Sequence, residues 1–141
     1  MSLRYLLDTN ILSEIPRKSP NANVMAKLEE HQREIATAAI VLDEIIYGCN
    51  CLPPSKKRQN IEKFINNVIL PRIPILPYNT EAAMWHGVER ARLKKMGKTR
   101  PFADGQIAAI AYVNNLIIVT NNVSDFDGFK NLQVENWHLD Q

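Results

Sequence analysis

Asp8 closes a short apolar run, Glu44 lies in the first turns of an amphipathic segment, Asp104 opens an alanine-rich one, and Asp125 follows another apolar run. Acids gathered by folding repel and raise one another's pKa unless a cation sits among them. A site of oxygen ligands alone suits Mg²⁺ or Mn²⁺ better than zinc. Such an ion binds a phosphodiester oxygen, activates a water and stabilises the leaving oxygen, which is phosphodiesterase chemistry. Taken singly, each acid has an ordinary use. Asp8 caps a helix, Glu44 faces solvent beside Asp43, Asp104 complements a helix dipole, and Asp125 or its neighbour Asp127 serves a turn. Only their convergence makes a site.

The elements around them supply that convergence. Arg4 to Leu7, Ile35 to Ala39, Ile73 to Leu76, Leu116 to Thr120 and Leu132 to Val134 read as strands. Helices are expected over Ile11 to Ile15 with Thr9 or Asn10 as cap, over Val24 to His31, and over Ile40 to Tyr47 with Gly48 as its end. Ser55 caps the next, whose Ile61, Phe64, Ile65, Val68 and Ile69 form the clearest apolar stripe. A helix from Thr80 carries Ala82, Trp85 and Val88 on one face and ends at Gly97. Another starts at Pro101. Strands alternating with helices imply parallel pairing through right-handed crossovers. The expectation is one domain over residues 1–141, a three-layer α/β/α fold with a twisted, mostly parallel central sheet. Ligand sites in such folds lie beyond the carboxyl ends of the strands, the edge where all four acids fall.

Composition agrees. The 141 residues are 45% hydrophobic and 23% charged, the balance of an ordinary globular chain. No signal peptide or membrane-spanning run is visible, so a cytoplasmic protein is expected. Cys49 and Cys51 are too close for a disulfide and too few for a zinc site, so they read as reduced thiols. His31, His86 and His138 stand beside no nucleophile and read as packing or surface residues. Net charge is only +2, but Arg90, Arg92, Lys94, Lys95, Lys98 and Arg100 share a stretch without an acid. Arg92, Lys94, Lys95, Lys98 and Arg100, leading to Asp104, are the candidate RNA contacts.

Four segments resemble the PIN-domain family and, within it, the VapC-type toxins of bacterial toxin–antitoxin pairs. Leu6-Leu7-Asp8-Thr9-Asn10 is similar to the opening L-D-T-N motif. Ile40 to Gly48 is similar to the segment carrying the glutamate. Phe102 to Ala109 is similar to the D-x-x-I-A helix, and Val119 to Phe126 to the closing T-x-N-x-x-D-F loop. The resemblance implies a Mg²⁺- or Mn²⁺-dependent endoribonuclease. It implies a metal held chiefly by Asp8 and Asp104 with Glu44 as a further ligand, directly or through water, and Asp125 as a more variable fourth acid. Asn10, Thr120 and Asn122 would orient carboxylates or touch the phosphate. It also implies a homodimer and a small cognate antitoxin, and no membrane.

Three positions depart from the family pattern: Asn121 stands where arginine is frequent, Gly105 where alanine is common, and Asp43 adds an acid beside Glu44. Gly105 is expected to loosen its helix turn. Rival readings are a catalytically weak RNA- or partner-binding module, a DNA-directed nuclease, and a phosphotransferase using Asp8 as nucleophile. The last lacks a second aspartate two residues on, where Asn10 stands.

Overall fold

The computed structural model describes residues 2–139. Its five strands are β1 (Tyr5–Leu7), β2 (Ile35–Ala38), β3 (Ile75–Leu76), β4 (Ile117–Val119) and β5 (Val134–Glu135). They lie in the order β3-β2-β1-β4-β5, and all four pairings are parallel. The chain steps outward from β1 to β2 and β3, then returns to place β4 and β5 on the other side of β1. The order therefore reverses between β1 and β4, which opens a crevice beyond their carboxyl ends.

Every residue of β1 and β2 is buried. A strand buried on both faces needs cover on both, which only helices can supply to a parallel sheet. The helices are α1 (Thr9–Leu12), α2 (Ala22–Glu30), α3 (Ala39–Cys51), α4 (Lys56–Phe64), α5 (Leu70–Arg72), α6 (Thr80–Lys95) and α7 (Phe102–Val113). The core joins Leu6, Leu7, Ile11, Val41, Ile107, Ile110 and Ile118, each almost wholly inaccessible.

Several boundaries move for identifiable reasons. The cap of α1 is Asp8 itself, not Thr9 or Asn10: its side chain accepts from the Thr9 amide at 2.8 Å. Helix α3 runs through Gly48 to Cys51, because its buried stripe of Val41, Ile45 and Cys49 continues past the glycine. The expected cap Ser55 is in place, accepting from the Arg58 amide at 3.1 Å. The stripe after it is interrupted by a wide π turn, Ile65–Ile69, which keeps Phe64, Ile65 and Ile69 buried. A short 3₁₀ turn, Val123–Phe126, replaces the expected loop. On α6 the buried face is Ala82, His86, Glu89 and Leu93, while Val88 is 70% exposed. The polar members of that face are satisfied internally, so simple apolar periodicity misplaces it.

Gly105 does not loosen α7. A Cβ there would lie 2.1 Å from His86 Nε2 and 2.8 Å from His86 Cδ2. The imidazole is buried, and its Nδ1 is hydrogen-bonded to the Tyr78 hydroxyl at 2.9 Å, so it has little room to retreat. Glycine lets α6 and α7 approach where an alanine would collide. Gly105→Ala should lower stability by about 1–3 kcal/mol despite alanine's better helix propensity. Combined with His86→Ala, urea titrations should reveal a coupling above about 1 kcal/mol; strictly additive losses would refute the steric account.

Candidate active site

Strand β1 ends at Leu7, paired with Val119 of β4. The next residues on each strand, Asp8 and Thr120, therefore face each other at the crevice. Both are buried, and the Thr120 hydroxyl donates to Asp8 Oδ2 at 2.8 Å. Thr120 Oγ1 accepts in turn from Asn10 Nδ2 at 3.2 Å and from the Asn122 amide at 3.0 Å. Asn10 Oδ1 accepts from the Asn121 amide at 2.9 Å, and Asn10 Nδ2 lies 3.5 Å from Asp8 Oδ2. Asn10, Thr120 and Asn122 thus converge on Asp8, but Asn122 does so through its backbone. The Asp8 amide donates to the Val119 carbonyl at 2.9 Å, tying the residue to the strand it faces.

Glu44 sits on α3 with Oε2 accepting from the Thr9 hydroxyl at 2.6 Å. Thr9 follows Asp8, so this bond draws the glutamate to the same edge. Asp43 is exposed. Asp104 lies in the first turn of α7 and Asp125 in the 3₁₀ turn after β4.

Asp8 and Asp104 register their acidic neighbours. Burial pushes the Asp8 carboxyl up, and Glu44 and Asp125 push it further, while the bonds from Thr9 and Thr120 work in the opposite direction. Burial, followed by the charges of Asp125, Asp8 and Glu44, raises Asp104 to about 6, with Arg100 alone opposing. Asp125, rather than exposed Asp127, is thus the acid of its turn that acts on the group.

Among the described residues, no three Asp, Glu, His or Cys side chains are drawn close enough to enclose an ion. Mg²⁺ commonly keeps several waters and takes only one or two carboxylates. An open, all-oxygen, mutually repelling set fits that donor chemistry, and a cation there would relieve the repulsion.

The basic stretch divides in two. Arg92 is committed to the fold: its Nε and Nη2 donate to buried Glu89 at 2.9 and 2.8 Å, and Nη2 also reaches the Gly128 carbonyl. It is withdrawn from the candidate RNA contacts. Arg90, Lys94, Lys98 and Arg100 instead line one cavity together. Arg90 was not among the expected contacts, although its spacing of four from Lys94 places both on one helix face. Lys95 does not line that cavity, because it lies one residue round the helix from Lys94.

Comparison with known proteins adds four findings. The PIN domain family matches residues 5–131. Ribonuclease VapC2 of Rickettsia felis is 33% identical over 138 residues, covering 94% of this chain and 97% of the relative. The tRNA(fMet)-specific endonuclease VapC of Shigella flexneri is 33% identical over 136 residues, covering 96% and 98%. Among solved structures, VapBC2 from Rickettsia felis bound to a promoter DNA fragment superposes with a TM-score of 0.80 at 32% identity, covering 97% of this chain and 99% of that one.

Two outcomes test the electrostatics. Thr120→Val removes the hydroxyl held by Asp8 while keeping the volume. Calorimetric Mg²⁺ or Mn²⁺ affinity should fall about 10- to 100-fold, and unchanged affinity would dismiss Thr120 as an orienting group. Asp104 titrates above its unfolded value, so its contribution to stability is present at low pH and is lost as pH rises through about 6. Metal-free Asp104→Asn should therefore melt about a few degrees above wild type near neutral pH, with the gap closing towards about pH 4.

Proposed function

The chain belongs to the PIN-domain family, in its VapC branch, and on that footing we propose that it is a metal-dependent endoribonuclease, the toxin of a toxin–antitoxin pair. The observation that carries this reading is the convergence of Asp8, Glu44, Asp104 and Asp125 on one strand-end crevice, where burial and mutual repulsion raise Asp8 and Asp104.

Asp8 and Asp104 would hold Mg²⁺ or Mn²⁺, with Glu44 reaching it through a bound water. Bound there, the ion supplies charge neutralisation of a phosphodiester and a more acidic water. This chain's own groups do the positioning. The Thr9 amide and the Thr120 hydroxyl fix the two oxygens of Asp8. The Thr9 hydroxyl fixes one oxygen of Glu44. Asp125 contributes negative charge opposite the entrance of α7, which favours cation occupancy. Preorganised ligands of this kind need little rearrangement when substrate arrives.

The Rickettsia felis structure is of a VapBC2 assembly on DNA. It supports a small antitoxin as partner of this chain; the homodimer rests on the family resemblance alone. No helix among the described residues is long and apolar enough to cross a membrane.

The test is cleavage of end-labelled structured RNA by antitoxin-free protein with Mg²⁺ or Mn²⁺. Initiator tRNA, suggested by the name of the Shigella flexneri relative, is the first probe. Wild type should cut, EDTA should stop it, and Asp8→Asn and Asp104→Asn should each lose at least about 100-fold. Cutting that survives both substitutions would reject the assigned site. Cutting of single-stranded DNA in preference to every RNA would reject the substrate.

A further inference from the structure

The cavity that collects the cations adjoins the acids. It has a volume of about 550 Å³ and lies between α6 and the connection that runs from Lys98 to Pro101. Arg90, Lys94, Lys98 and Arg100 line it with His86, Gly105 and Phe129, and no acid lines it. None of the four cations is in an ion pair among the described residues, unlike Arg92. The Nε of Arg100 is buried with no hydrogen-bond partner. An orphaned guanidinium donor in a water-poor place calls for an acceptor. His86 is not a fifth cation of the cavity, because burial and then Arg90 hold its pKa down.

A second, aromatic feature borders the first. Phe102 opens α7 two residues before Asp104 and follows Pro101, which lines the cavity. It is 49% exposed, a poor use of a phenyl ring for packing alone. The Arg90 guanidinium lies 4.9 Å from its centroid, and the buried His86 ring is tilted against it at the same distance. Arg90 thus belongs both to the cationic cavity and to the aromatic surface. Cations beside an arginine-backed aromatic ring are the combination that binds single-stranded nucleic acid: backbone phosphates take the charge, and bases stack on the ring.

Resting on the ribonuclease reading above, we infer that this cavity is a nucleotide subsite. Lys94, Lys98 and Arg100 hold a backbone phosphate of single-stranded RNA, and the adjoining base stacks on Phe102. The subsite adjoins the acids because Gly105, which lines the cavity, directly follows Asp104 in α7. Stacking demands a base already out of its helix, so the subsite selects loops and single strands over duplex. The ring face takes any base, so it selects for strandedness more than for sequence.

The experiment is binding without cleavage, in EDTA. A fluorescein-labelled eight-nucleotide single-stranded RNA is titrated by anisotropy across a range of salt. The same strand carrying 2-aminopurine at successive positions reports stacking by quenching. Phe102 is exposed, so Phe102→Ala should fold, with Phe102→Tyr as the conservative control. Phe102→Ala should weaken binding about 5- to 100-fold, abolish the quench at one position and leave the salt slope alone. Phe102→Tyr should restore both signals. Lys98→Gln should reduce the salt slope by about 0.7 and keep the quench. Affinity within about twofold of wild type for both Phe102→Ala and Lys98→Gln would overturn the subsite and leave the cavity to an acidic protein segment. The two proposals fail separately. A protein that cuts nothing yet shows these shifts keeps the subsite and loses the nuclease. Metal-dependent cutting with unaltered affinity and quench does the reverse.

Discussion

The parallel pairing of β1 with β4, with Leu7 opposite Val119, places every other part of the site. It sets Asp8 and Thr120 side by side at the point where strand order reverses, and it brings residues 112 positions apart within hydrogen-bond reach. Slipping the register by one residue would turn every side chain of the strand to the opposite face. The deep burial of Leu6, Leu7, Ile118 and Val119 holds that register. The apolar core therefore specifies the geometry of the acids, although none of its side chains touches the chemistry.

Core and site pull in opposite directions. The core stabilises by removing apolar surface from water. The site places like charges close together and half-buries them, which lifts Asp104 to about 6. Functional sites commonly break the local rules that the rest of a fold obeys. Here the conflict is confined to one edge, and hydrogen bonds from Thr9 and Thr120 moderate it at Asp8. The same edge carries Lys98 and Arg100, without an ion pair among the described residues, just ahead of Asp104, so positive and negative surfaces meet at the entrance of α7.

The strands and the positions of the acids were legible because both depend on short-range signals. An apolar run bounded by Asp-Thr-Asn or Thr-Asn-Asn marks a strand end, and alternation of strand and helix makes those ends share an edge. What was not legible depended on partners distant in sequence. Arg92 reads as a free cation until Glu89 turns out to be buried and shared with the Lys130 amide. Glu89 three residues earlier was the available hint. Gly105 reads as a weak point until His86 fills the space beside it. Asp8 caps α1 because that helix starts at Thr9, two residues sooner than its apolar pattern suggests. Phe102 gave no periodic signal, since its use lies in being left outside.

The hydrogen bonds around Asp8 also have a direction. The Asn122 amide donates to Thr120, whose hydroxyl donates to Asp8. The Asn121 amide donates to Asn10, whose side-chain nitrogen points to Thr120 and Asp8. Backbone amides can only donate, so this wiring cannot run backwards, and the carboxylate is its terminal sink. Both amides belong to the segment that leads into the turn carrying Asp125. Whatever tugs that segment, whether a passing strand or a bound inhibitor, loosens donors two bonds upstream of Asp8 and changes how tightly that carboxylate holds its charge. The loop is thereby a tuning peg for an anion it does not touch.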